Sequence, residues 1–252
     1  LTKKKTNTNP KPIPAPKKPE PPRIPVDSSL AEISAPATPP AEESEEPTSS
    51  YQETASVSAP KETRRPLNMI MLIDNSSSMA YQSRIEQVKE CLTHLIFNID
   101  KTDKLAILTF NEEVKTVIPS GPINNQAEAN KAIHEIKVAG KTNGEVGVNK
   151  AFEMLESIAS VDNLNMIVLV TDGRITNNSY LEQRIMGQIE EMNKKGHLFS
   201  VMGFSNSNYH NKKMQQMADI GGGIYLNMNH HKENYTSILL DEIYKTLLKI
   251  EQ

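Results

Sequence analysis

The chain has 252 residues, one cysteine, no tryptophan and a formal net charge of −3. One cysteine excludes an internal disulfide, and the mild negative balance leaves the globular part without the basic footprint of a nucleic-acid binder. No stretch is apolar over the roughly 18 residues that a bilayer-crossing helix needs. Composition splits the chain in two. Of the 16 prolines all but Pro119 and Pro122 fall at or before Pro66, and every glycine lies at or after Gly121. Residues 1 to 65 hold one aromatic, Tyr51, and almost no apolar run, so burial cannot offset the entropy of ordering them. They read as a disordered Pro-rich tether. It is basic at its start (Lys3, Lys4, Lys5, Lys11, Lys17, Lys18, Arg23) and acidic at Glu42-Glu43-Ser44-Glu45-Glu46. A solvated spacer is the simpler reading, and a docking strip for a Pro-recognising or acidic partner is the other.

From 66 to 252 strand and helix patterns alternate. Strands are expected over 67–74, 104–110, 114–118, 165–171, 197–204 and 223–227, and helices over 82–98, 126–137, 145–158, 179–195, 211–219 and 234–250. Leu67 to Ile73 and Asn165 to Val170 are continuous apolar runs of strand length, the pattern of strands buried on both faces. The string 106–117 reads as a hairpin, which makes one edge strand antiparallel. The rest demands parallel strands with crossover helices. The fold class is therefore α/β: a Rossmann-like, doubly wound, mostly parallel sheet with one antiparallel edge strand and helices on both faces. Nucleotide binding does not follow, because no G-x-G-x-x-G or G-x-x-x-x-G-K-[ST] is present. Cys91 shares the apolar stripe of Ile85, Val88, Leu92, Leu95 and Ile96 and reads as core.

Three strings place oxygen ligands where such a sheet ends. Asp74, Ser76 and Ser78 follow the first apolar run, Thr142 lies in the glycine-bounded loop Gly140-Lys141-Thr142-Asn143-Gly144, and Asp172 follows the second run in Thr171-Asp172-Gly173. Each alone has a bland reading as a helix N-cap or a turn. Together they supply two carboxylates and three neutral hydroxyls, which suits a small hard cation such as Mg²⁺ that takes six oxygens. Both acids are expected at strand ends and outside the core.

In this order the strings resemble the metal-ion-dependent adhesion site of von Willebrand factor type A domains, over residues 66 to 252. The wider resemblance is to bacterial members, including those similar to calcium-activated chloride channels. Ser77 departs from the glycine that many members carry there. The resemblance implies that Ser76, Ser78 and Thr142 ligate the metal directly and that Asp74 and Asp172 act largely through water. It implies Mg²⁺, with Mn²⁺ or Ca²⁺ as alternatives, and a protein partner whose Asp or Glu completes the coordination. It also implies that the last helix is coupled to the metal site.

His210, His230 and His231 lack metal-ligand spacing and sit among polar residues, so they read as surface histidines. Three function classes follow. The preferred one is a non-enzymatic, metal-dependent protein-binding module. The second is a scaffold for an AAA+ ATPase or a membrane-associated assembly, and the third a metal-dependent hydrolase. Hydrolysis ranks last because no histidine falls within the three strings to serve as a base beside the ion. The chain starts at Leu1, and a Pro-rich tether ahead of a binding module is the layout of a membrane-anchored display protein. The cell envelope is therefore favoured over the cytoplasm, with membrane contact only through an N-terminal anchor upstream.

Overall fold

The computed structural model describes residues 65–176 and 178–230. The stretch read as a tether and the helix expected over 234–250 lie outside the described residues, apart from Arg65, and so does His231. Within them the sequence builds β1 (Leu67–Asp74), a 3₁₀ turn (Ser77–Ser83), α1 (Arg84–Asn98), β2 (Lys104–Phe110), β3 (Val114–Gly121), α2 (Gln126–His134) and α3 (Gly144–Ile158). They continue with β4 (Leu164–Thr171), α4 (Ser179–Lys194), β5 (Leu198–Gly203), α5 (Asn208–Ile220), β6 (Gly222–Asn227) and a short 3₁₀ turn (Met228–His230).

The six strands form one sheet in the order β3-β2-β1-β4-β5-β6. Only the β2–β3 pair is antiparallel, and the β1–β2, β1–β4, β4–β5 and β5–β6 pairs are parallel. The unbroken apolar runs have their cause in the two central strands, every residue of which is buried. Met69, Met71 and Ile73 pack with Met166, Val168 and Val170 on one face, against Val88, Leu92 and Leu95 of α1 and Ile133 of α2. Ile70 and Leu72 pack with Ile167 and Leu169 on the other, against Val148 and Leu155 of α3, Ile185 and Ile189 of α4 and Met214 of α5. Two-sided burial leaves no position for a polar alternation. Pro119 sits in β3, an edge strand, where its missing N–H costs no ladder bond on the open side.

The chain leaves β1 for β2 on one side and returns to β4 on the other, so the connections diverge at the β1/β4 boundary. Beyond the carboxyl ends of these two strands lies the crevice where open α/β sheets place ligands. Glycines let α3 approach this edge: a Cβ on Gly144 would lie 1.7 Å from Ile175 Cγ2, and one on Gly147 would lie 2.6 Å from Phe110 Cγ.

Several helix boundaries differ from the periodicity: the helix expected from 211 begins at Asn208, where the Ser207 hydroxyl caps it, and two others bear on the site. The helix expected from 82 begins at Arg84, because Gln82 and Ser83 adopt positive φ of 53° and 55°. That kink lets the 3₁₀ turn drop Met79 fully into the core, and burial of a methionine offsets two residues in a left-handed conformation that non-glycine residues resist. The helix expected to 137 ends at His134. Ile136 is buried beyond it, and the Lys137 carbonyl accepts a bond from Asn75 Nδ2 at 2.9 Å, so this stretch is recruited to the sheet edge.

Candidate metal centre

β1 and β4 end side by side, and their hydrogen bonds weld the two motif strings together. The Ser76 N–H donates to Asp74 Oδ1 at 2.9 Å, and the Thr171 hydroxyl donates to Asp74 Oδ2 at 3.1 Å. Thr171 Oγ1 in turn accepts from the Gly173 N–H at 3.1 Å. Asp74 is wholly buried and Asp172 is 5% exposed. The expectation that both acids lie outside the core is therefore corrected. They sit at strand ends, but the loops after β1, β2 and β4 and the 139–144 segment are hydrogen-bonded to one another around this edge.

Burial pushes the Asp74 carboxyl up to about 6, with the negative charge of Asp172 adding to the effect and hydrogen bonds from Ser76 and Thr171 opposing it. Asp172 directly follows Thr171, whose hydroxyl holds Asp74, so the second carboxylate leaves β4 beside the first. Ser76 Oγ and Ser78 Oγ lie 3.1 Å apart. Thr142 is half-buried in a loop stitched at several points. The Ser77 N–H donates to the Gly140 carbonyl, the Asn143 N–H to that of Asn111, and the Gly144 N–H to that of Ile175. The Thr142 hydroxyl is engaged by no described residue. Asp74, Ser76, Ser78 and Asp172 are thus brought to one edge, and Thr142 is carried to it by its loop.

This donor set fits a hard divalent ion. Among the described residues no group of three or more His, Cys, Asp and Glu is placed to hold a metal, so a cation site here depends on hydroxyls. Octahedral Mg²⁺ with bonds of about 2.1 Å sets neighbouring oxygens about 3.0 Å apart, close to the 3.1 Å between the two serine hydroxyls. Ser77, the departure from glycine, is exposed and has no positive φ, so the loop accepts a side chain there.

Four residues at this edge escaped the sequence reading. Arg84 Nη1 donates to Asp172 Oδ2 at 2.9 Å and to the Ser78 carbonyl at 3.4 Å. Its signal was a cation four residues before Val88 on the apolar stripe of α1. Thr171 bridges the two strands. Asn75, between Asp74 and Ser76, has a buried Oδ1 without a hydrogen-bond partner. His210, expected on the open surface, is half-buried, its Cβ 2.7 Å from where a Gly173 side chain would begin. With Ile175, Lys213 and Met214 it lines a cavity of about 280 Å³ beside the Asp172 loop.

The model of the von Willebrand factor type A domain matches residues 68–245. The chain belongs to that family. The type A domain is 30% identical over 158 residues to the uncharacterized protein YfbK of Escherichia coli K12, covering 63% of this chain and 28% of YfbK. The chain thus spans less than a third of the curated relatives it matches. Its fold is shared with an aerotolerance-related membrane protein of Bacteroides fragilis, at 18% identity and a TM-score of 0.56, over 73% of this chain and 99% of that one. It is also shared with the manganese-loaded TRAP protein of Plasmodium vivax, at 16% identity and a TM-score of 0.54, over 68% and 74% of the two chains. At these identities the two solved structures speak for the fold.

Proposed function

We propose that this type A domain is a metal-dependent protein-binding module, with a metal-ion-dependent adhesion site formed by Asp74, Ser76, Ser78, Thr142 and Asp172. The observation that carries this reading is the 3.1 Å spacing of the Ser76 and Ser78 hydroxyls beside two buried carboxylates. The three hydroxyls would hold Mg²⁺, or Mn²⁺ or Ca²⁺ in its place, without neutralising it. The bound ion would supply an electrophilic position for an Asp or Glu side chain of a protein partner. Asp74 holds the Ser76 amide, and Thr171 holds Asp74, so the ligand loop is aimed from the sheet.

Binding is favoured over hydrolysis because, among the described residues, the hydrogen-bond partners of the two carboxylates are Ser76, Thr171, Arg84 and the Arg174 amide. All are hydrogen-bond donors there, and none is a base at neutral pH. A manganese-loaded relative of the fold supports a divalent ion. The Pro-rich stretch before Pro66, with the fold's likeness to an aerotolerance-related membrane protein, supports placement at the cell envelope. Among the described residues no helix is long and apolar enough to cross a membrane.

Calorimetric titration with Mn²⁺ and Mg²⁺ tests the ion, using the parent chain against a Ser76→Ala, Ser78→Ala double variant. Saturable 1:1 binding in the parent and its loss in the variant is the expected result. Equal binding by both would remove the serines from the site.

A further inference from the structure

Arg84 stands out once the site is drawn. Its side chain is 12% exposed and that of Asp172 is 4% exposed, and the two meet at 2.9 Å. The guanidinium is held poorly for an arginine so little exposed. Nη1 alone serves both Asp172 and the Ser78 carbonyl, Nε is buried without a partner, and the Cζ lies 5.2 Å from the ring centroid of exposed Tyr81. An arginine fork normally takes a carboxylate with two parallel bonds. This one reaches the metal centre from the first residue of α1, directly after the two left-handed residues that aim the helix.

We propose that Arg84 is a built-in competitor of the metal ion, which shares Asp172 with it and makes tight metal binding conditional on an acidic ligand. This rests on the metal reading of the site. Two ionised carboxylates facing one guanidinium leave the empty centre with a single excess negative charge. A divalent ion entering beside a fixed positive charge is held less tightly than in a centre with both carboxylates free. The same charge leaves the loaded centre net positive. A carboxylate arriving from outside is then drawn by the ion and by Arg84 together, and by linkage it must strengthen the ion's own binding. Without Arg84 the loaded centre would be neutral, the ion would bind tightly alone, and the carboxylate would add less.

The test is Mn²⁺ titration followed by water-proton relaxation, with acetate as the probe carboxylate, on the parent chain, Arg84→Gln and Arg84→Lys. Arg84→Gln removes the charge, whereas Arg84→Lys keeps it and loses the planar guanidinium. Competition predicts that Arg84→Gln binds Mn²⁺ at least tenfold tighter than the parent, that Arg84→Lys stays within a few-fold of it, and that acetate tightens Mn²⁺ on the parent more than on Arg84→Gln. A merely structural arginine predicts weaker Mn²⁺ binding in both variants, and that result overturns the proposal. If Arg84→Gln melts too low to titrate, the rise in melting temperature on adding Mn²⁺ replaces the titration, and it should exceed the parent's. Should parent and variants all fail to bind Mn²⁺, the metal reading falls and this inference with it. If the parent binds and Arg84→Gln binds no tighter, the inference alone falls.

Discussion

Asp74 gives the sharpest prediction because its carboxylate is wholly buried. Burial lifts its carboxyl from an ordinary 3.8 to about 6. The folded state therefore binds this proton more tightly than the unfolded chain does. The ionised group imposes no penalty below pH 3.8, and stability is lost as pH rises from there through 6. At pH 7.5 the full difference of about two pH units is present, on the order of 3 kcal/mol against the fold. Asp74→Asn removes the charge and keeps the shape. Its Oδ1 still accepts the Ser76 N–H, and its Nδ2 faces Thr171 Oγ1 as a donor. The Thr171 hydroxyl proton loses its acceptor, at a cost of about 1 kcal/mol. The net is about 2 kcal/mol in favour of the variant, a rise in melting temperature of about 4–8 °C for a domain of this size. The assay is thermal unfolding in EDTA at pH 7.5 and pH 4, then at pH 7.5 with Mg²⁺. The variant should melt higher in EDTA at pH 7.5, lose most of that lead at pH 4, and fail to gain from Mg²⁺ as the parent does. A variant that melts below the parent in EDTA at pH 7.5 would refute the reasoning, since Asp74 would then hold the empty fold together through its charge.

Gly147→Ala sets a methyl 2.6 Å from Phe110 Cγ and 3.0 Å from its Cβ and Cδ1, so the base of the side chain is hit and turning the ring does not relieve it. A loss of about 1–3 kcal/mol is expected in chemical denaturation, and an unchanged midpoint would show that α3 shifts freely over β2. The Cys91 thiol is buried on α1 and pushed up to about 12 by that burial. Native protein at pH 8 should resist iodoacetamide while the urea-unfolded chain reacts, and mass spectrometry that finds rapid native alkylation would mean that α1 opens locally.

The layers of this protein follow from local sequence pattern. Leu67 to Ile73 and Asn165 to Val170 are apolar without alternation, and only a strand covered on both faces tolerates that, so the central pair and their helices were legible as local pattern. The hairpin of β2 and β3 was legible in the local string 106–117, and so was the delivery of Asp74, Ser76, Ser78 and Asp172 to strand ends. Tertiary packing decided what those groups meet. Arg84 and Asp172 are 88 positions apart along the chain, and Thr171 and Asp74 are 97 apart. No periodicity reports a contact of that range. The start of α1 was set by Met79 seeking the core, and the end of α2 by Ile136 and the Asn75 side chain, both of which override helix propensity with burial. The depth of the two acids followed in the same way. A carboxylate after a strand reads as exposed until the loops of other strands are folded over it, and closure by segments distant in sequence is a property of the packed sheet edge.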